Sequence, residues 1–211
     1  MQRKFVAVAV MGLWAGVPAA ASACDFSFAY QHLGVPPTQI VVGGGIHVSP
    51  LNNDDGDAFF MPAVGVGFRL GERAAVAPII GYCSGDNDFG EVMFGGGGLF
   101  NLWNSSDGMV HLNLQSHVTY VSAGDYSYLT IPVMGSIAYD MSETLALFGN
   151  AGIVHYRESN GADFDDTNPG FSAGVNFLVQ SFRISTGLTY IMGEHDDSLG
   201  LIAAISRPLG S

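Results

Sequence analysis

The chain has 211 residues, enough for one domain with a full core. Its formal net charge is −12 and 12% of its residues are charged, about half the usual share. That balance excludes a nucleic-acid-binding surface, which needs a basic footprint. It is also unlike a soluble domain, which covers its exposed faces with Lys and Glu; Lys4 is the one lysine.

The first element in chain order is an export signal. Gln2-Arg3-Lys4 is a basic stretch, residues 5–17 are apolar, and Ala21-Ser22-Ala23 has the form of a small-residue cleavage site. The apolar run falls short of the roughly 20 residues of a spanning helix. Residues 1–23 are therefore expected to be removed on export, leaving five arginines against 19 acidic residues. Cys24 becomes the first mature residue. Ala21-Ser22-Ala23 lacks the Leu usual three positions before a lipidated cysteine, so an unmodified Cys24 is expected. Residues 24–38 contain Phe26, Phe28 and Tyr30 in alternation, broken by Pro36-Pro37. They read as a periplasmic lead-in or an extra strand.

From residue 39 to 211 the pattern alternates with period two, the signature of strands. Ile40, Val42, Ile46 and Val48 share one face; Gln39, Gly43, Gly45 and His47 share the other. Phe60, Pro62, Val64, Val66, Phe68 and Leu70 oppose Ala63, Gly65, Gly67 and Arg69. Residues 73–83 are apolar on both faces, and residues 90–102 carry Val92, Phe94 and Phe100 on one. Val110, Leu112, Leu114, Val118 and Tyr120 oppose His111, Asn113, Gln115, His117 and Thr119. Further strands are predicted over residues 128–139 and 144–156. Beyond them, Phe171, Ala173, Val175, Phe177 and Val179 oppose Ser172, Gly174 and Asn176. Phe182, Ile184, Leu188 and Tyr190 oppose Arg183, Ser185, Gly187 and Thr189. A short tenth strand covers residues 198–206.

The polar face separates a membrane barrel from a soluble sandwich. It carries Gly, Ser, Thr, Asn, Gln and His with almost no charge beyond Arg69, Arg183 and Glu91, as a narrow lumen requires, while the apolar face meets lipid. Connections alternate in length. Tight turns at residues 71–72, 140–143 and 180–181 and a moderate one at 103–108 alternate with more acidic loops at 49–58, 84–89, 122–127, 157–169 and 193–197. Those loops hold 13 of the 19 acidic residues, whereas Arg69, Arg73, Arg183 and Arg207 fall at the opposite end. Short periplasmic turns and longer outer loops fit a bacterial barrel. Aromatic residues gather toward both ends of the strands, where interfacial girdles are expected. Phe59, Phe60, Tyr82, Phe89, Tyr120, Tyr126, Tyr128, Tyr156, Phe171 and Tyr190 mark the outer rim. Phe68, Phe100, Trp103, Tyr139, Phe148, Phe177 and Phe182 mark the inner one. The fold class expected is all-β: a transmembrane antiparallel up-and-down barrel of about 10 strands, with 8 or 12 as alternatives, in the outer membrane of a Gram-negative bacterium.

The segment Ile131-Pro132-Val133-Met134-Gly135-Ser136-Ile137-Ala138-Tyr139, with Gly149-Asn150-Ala151-Gly152 in the strand after it, resembles the small outer-membrane barrels of the opacity-protein and OmpX-like group. The likeness extends as a loose pattern over most of the mature chain and implies a fold and a location rather than an activity. Such barrels usually end in an aromatic residue, whereas this chain ends Arg207-Pro208-Leu209-Gly210-Ser211.

No catalytic, cofactor or metal residues are assigned. His155 and Ser159 have the residue types of a lipid A deacylase, but lie about 13 Å apart on an extended strand, too far for activation. His195-Asp196-Asp197 is similar to an omptin-type acidic cleft, but the loops are too short to wall one. His47, His117 and His155 are candidates for the upper lumen and hence for a transition metal, although incidental lumen hydrogen bonding is the simpler reading. Asn53-Asp54-Asp55-Gly56-Asp57 and Asp163-Phe164-Asp165-Asp166 are candidates for divalent cations without EF-hand spacing. A Cys24–Cys83 disulfide is not expected, because Cys83 falls at the outer end of its strand and Cys24 at the periplasmic terminus. The leading functional expectation is a non-enzymatic barrel acting through acidic surface loops in envelope structure, adhesion or surface interaction, with outer-membrane lipid as its surroundings. A small pore is the first alternative, a lipid-modifying or proteolytic barrel enzyme the second, and a soluble secreted β-domain the last. Intact-mass measurement of the exported protein is predicted to find a chain starting at an unmodified Cys24; a lipid-bearing or different first residue contradicts the reading.

Overall fold

The computed structural model describes residues 40–49, 59–84, 90–123, 126–159, 164–193 and 197–209. Ten strands follow in order: β1 (Ile40–Ser49), β2 (Phe59–Leu70), β3 (Ala74–Ser84), β4 (Gly90–Asn104) and β5 (Val110–Ala123), then β6 (Tyr126–Ser142), β7 (Leu145–Ser159), β8 (Phe164–Val179), β9 (Phe182–Ile191) and β10 (Ser198–Leu209). Each pairs antiparallel with its sequence neighbours, and β1 closes on β10 from Ile40↔Leu209 to Val48↔Leu201. The sheet is thus a closed barrel with no free edge. The signal segment, Cys24 and residues 24–38 lie outside the described residues.

Burial alternates residue by residue, as a two-sided wall demands. Val64, Ile80, Phe94, Val118, Ile137, Ile153, Leu188, Leu201 and Ile205 are exposed on the exterior of successive strands. A soluble monomer does not leave a continuous apolar belt around its whole girth; a hydrocarbon surround makes that surface favourable. Tyr82, Tyr120 and Phe171 stand outside toward one end, and Phe68, Phe100, Trp103, Tyr139 and Phe177 toward the other. Four aromatics expected in the girdles turn inward instead. Phe59, Tyr128, Tyr156 and Phe148 occupy inward positions of the alternation. Tyr156 is 2% exposed, and the Phe148 ring lies where side chains at Gly174 and Gly187 would otherwise project. End-clustering had been read without regard to parity, and parity decides the face.

The turns at the arginine-bearing end are tight. Gly71 (φ 77°) and Gly108 (φ 72°) take the left-handed conformation their turns require. Arg69 Nε donates to the Gly71 carbonyl at 2.7 Å. Arg207 lies outside, 5.4 Å from the Phe182 ring centroid. In the β4–β5 turn the Ser105 hydroxyl donates to Asp107, the Met109 amide donates to the same carboxylate oxygen at 3.0 Å, and the Val110 amide donates to Ser105 Oγ at 2.8 Å. Register shifts between Asn101 and Trp103 and between Asp140 and Ser142 bulge β4 and β6 at this end.

At the other end one expectation is corrected. Residues 157–169 were read as a long loop, but the β7–β8 ladder continues through Arg157↔Asp165 and Glu158↔Phe164. Above the bilayer both faces of a hairpin meet water, so pairing persists with no hydrophobic alternation to reveal it.

Two predictions follow from the wall and its turns. Leu188→Arg, near the middle of the lipid face, is expected to destabilise the inserted barrel by about 2–4 kcal/mol, measured by denaturant unfolding in lipid vesicles; an unchanged midpoint contradicts the assigned lipid face. The Ser105 hydroxyl first, and the Met109 amide second, hold the Asp107 carboxyl below its ordinary value of 3.8. A depressed folded-state value means that its contribution is present above the unfolded value and is lost as pH falls through the folded one. The stability difference between the wild type and Asp107→Asn is therefore expected to shrink as pH is lowered below about 4, read from unfolding midpoints at stepped pH.

Candidate functional site: lumen and outer rim

The inward face divides into two layers. The periplasmic half is polar. Asn101 Nδ2 donates to Asn113 Oδ1 at 3.0 Å and to Asn104 Oδ1 at 2.8 Å. His111 Nδ1 lies 2.9 Å from that same Asn104 oxygen, and its Nε2 lies 3.1 Å from Asp140 Oδ2. Asn150 Nδ2 donates to Ser172 Oγ at 2.6 Å, and Ser185 Oγ donates to Asn176 Oδ1 at 2.5 Å. Gln115 is 2% exposed, and neither of its side-chain amide atoms has a hydrogen-bond partner among the described residues.

The outer half carries an apolar cluster interleaved with buried polar side chains. Met61, Ile79, Cys83, Met93, Val121, Tyr128, Met134, Val154, Tyr156, Ile191 and Ile202 form one buried cluster. Met61, Met134, Val154 and Ile202 have no exposed surface. The sequence reading expects a lumen filled by small hydrogen-bonding groups; in the outer half such groups, among them His47, Thr119, Thr130 and Thr189, share the lumen with the apolar cluster. Met61 and Met134 do sit at inward positions of the period-two pattern, so the signal was available. Methionine suits such a layer because its unbranched, adaptable side chain fills irregular space.

Level with Met61 and Ile202, His47 Nε2 lies 3.2 Å from Thr189 Oγ1, and toward the outer end the Ser49 and Ser198 hydroxyls are 2.7 Å apart. A side chain at Gly200 would collide with the His47 ring and with Thr189 Oγ1, so glycine makes the space for that pair. His117 is also inward and buried. His155 is not. It lies on the outer face of β7, 3.0 Å from Thr167 Oγ1 and 3.5 Å from Asp165 Oδ1. The suggested three-histidine grouping is therefore broken by strand parity, since residue 155 alternates with the inward Val154 and Tyr156. No group of three or more His, Cys, Asp or Glu suited to a metal occurs among the described residues.

The other candidates resolve similarly. Ser159 shares the outward parity of His155 but bonds Ser127, four residues further along the strand. Asp165 and Asp166 face opposite sides. Asp166 is engaged locally, accepting from the Thr167 amide at 2.7 Å and from Asn168 Nδ2 at 2.8 Å. Tyr190 donates its hydroxyl proton to Asp197. Residues 53–57, Asp163, His195 and Asp196 lie outside the described residues. Cys83 requires a correction: it is disulfide-bonded, and no free cysteine occurs among the described residues. The contrary expectation places Cys24 at the periplasmic terminus, but the 15 residues of 24–38 are long enough to span about 50 Å when extended, so a periplasmic start for β1 does not bar a bond at Cys83.

No protein-family model matches the chain, and no curated protein matches it. Among solved structures it is similar to an outer membrane channel from Pseudomonas putida F1, with TM-score 0.54, 9% identity, and coverage of 83% of this chain and 97% of that one. It is also similar to a bacterial polysaccharide outer membrane secretin, with TM-score 0.50, 9% identity, 82% of this chain and 66% of that one. A weaker likeness, with TM-score 0.41, 13% identity, 82% of this chain and 98% of that one, is to Neisserial surface protein A. At these identities the likeness is one of fold. Closed antiparallel topology, an apolar girth with aromatic rims, and this fold together make the chain an outer-membrane β-barrel.

Proposed function

We propose that the barrel is a non-conducting, non-enzymatic scaffold that presents its acidic outer rim for surface interaction, in adhesion or envelope structure. The observation that carries this reading is the buried apolar layer across the outer lumen. Met61, Met134, Val154 and Ile202 are wholly buried, and side chains packed in this way oppose a water-filled path. The one dense concentration of unused chemistry is then the rim, where the outer connections gather most of the acidic residues. Several of the described acids there are engaged: Asp165 with His155, Asp166 with Thr167 and Asn168, and Asp197 with Tyr190. None of these arrangements pairs a nucleophile with a base and an orienting acid, which supports a presenting role over catalysis. A partner suited to such a rim is cationic, or is anionic and bridged by divalent ions.

The second reading is a small channel, supported by the fold likeness to the Pseudomonas putida F1 outer membrane channel. Planar-bilayer recording separates the two. The purified full-length protein is expected to give no stable conductance steps; reproducible steps overturn the scaffold reading. On cells, Asp54, Asp55 and Asp57 changed together to Asn are expected to weaken surface attachment and its ionic-strength dependence while leaving the amount of inserted barrel unchanged. Attachment insensitive to both the substitutions and salt contradicts a role for rim charge.

A further inference from the structure

A cation that faces lipid needs a partner, and Arg207 is such a cation. Alternation on β10 turns Leu201, Ile205, Arg207 and Leu209 outward, and all four are exposed. Ser206 pairs with Arg183, which sets Arg207 beside Phe182 at the start of β9, next to the tight β8–β9 turn. On the other side Arg207 pairs with Val42, about 7 Å at strand rise from the periplasmic end of β1. The side chain therefore stands where the apolar girth meets the periplasmic headgroups. Its guanidinium lies 5.4 Å from the Phe182 ring centroid, a cation–π contact that covers one side of it. Among the described residues no carboxylate pairs with it, and Val42, Ile205 and Leu209 around it are apolar. Arg69 and Arg183, by contrast, take inward positions of the alternation.

Toward the membrane centre from Arg207 the wall is recessed. Gly44 faces outward between its level partners, Ile205 on β10 and Val64 on β2, both of which stand exposed. A Cβ at Gly44 would lie 3.1 Å from the Ala63 carbonyl oxygen and 3.2 Å from Val64 Cγ1, so glycine keeps a narrow trough open there. The recess has a volume of about 700 Å³ and runs from Ile80 on β3 across β2 and β1 to Arg207 and Phe182. An apolar trough headed by an unpaired cation is complementary to an amphiphile with an anionic head and a hydrocarbon tail. We propose that Arg207, Phe182 and the trough at Gly44 form a binding site for one glycerophospholipid of the periplasmic leaflet. The guanidinium holds the phosphate, whose oxygens match its planar N–H donors, and an acyl chain lies along the trough between Val64 and Ile205. The site is at the tight-turn end, and the periplasmic leaflet of a Gram-negative outer membrane is built of such phospholipids. It lies outside the lumen and at the opposite end from the acidic rim, so it stands or falls independently of whether the barrel conducts.

Native mass spectrometry of the full-length protein, purified in octyl glucoside and incubated with equimolar dioleoylphosphatidylglycerol and dioleoylglycerol, tests the site. The wild type is expected to retain one phosphatidylglycerol in preference to the diacylglycerol, which has the same chains without the phosphate. Arg207→Gln is expected to lower phosphatidylglycerol retention severalfold; it removes a charge from the lipid face and so does not endanger insertion. Gly44→Leu, which fills the trough and keeps the guanidinium, is expected to lower retention as well. Arg73→Gln, in the exposed β2–β3 turn away from the trough, is expected to leave it unchanged. Equal retention of the two lipids by the wild type overturns the proposal, as does unaltered retention in Arg207→Gln or in folded Gly44→Leu. An equal loss in Arg73→Gln also overturns it, because it reports interfacial charge rather than a site. So does preferential capture of lipid A in competition with phosphatidylglycerol, or an Arg207-dependent dimer in place of bound lipid. The wild-type comparison involves no substitution and decides the matter even where Gly44→Leu fails to fold.

Discussion

Every backbone amide and carbonyl that enters hydrocarbon must find its partner within the protein, and the pairing of β1 with β10 is what makes this true for every strand. Without that ladder the sheet would present two long unpaired edges to lipid. Closure brings in the rest. It forces strict alternation of faces, commits one face to apolar side chains around the full girth, and confines polar and ionic chemistry to the lumen and to the two rims.

Within that constraint the lumen is used economically. The periplasmic half is held by side-chain amides and hydroxyls bonded strand to strand, such as Asn101 with Asn113 and Asn176 with Ser185. Each pair fixes a register as well as satisfying buried polar atoms. The outer half adds an apolar cluster, with methionines on β2, β4 and β6, among buried polar groups such as His47 and Thr189. Bonded polar pairs and packed apolar side chains together give a stiff cylinder, a fit platform for surface segments.

Much of this was legible in the chain because period two maps directly onto a wall with two faces. All ten strands fall where alternation places them, and the arginines at residues 69, 183 and 207 lie at the tight-turn end. What was lost followed from reading position along a strand without parity. Tyr128, Tyr156 and Phe148 were near the expected rims but on the inward face, and His155 was assigned to the lumen from its height alone. The extended β7–β8 hairpin was illegible for a different reason: outside the bilayer, pairing needs no apolar face, so Asp165 to Asn168 look like loop. The network joining Asn101, Asn104, His111 and Asp140 depends on bulges in β4 and β6 that composition does not announce. The disulfide at Cys83 runs against the expectation because that reading places Cys24 at the periplasmic terminus and Cys83 at the outer end of its strand.

The central claim is that the apolar girth is a lipid face and the protein an integral barrel of the outer membrane. Extraction of isolated outer membranes with alkaline carbonate tests it most directly, since carbonate strips peripheral proteins and leaves integral ones. The account predicts that the protein stays with the membrane pellet; recovery in the soluble fraction would contradict it.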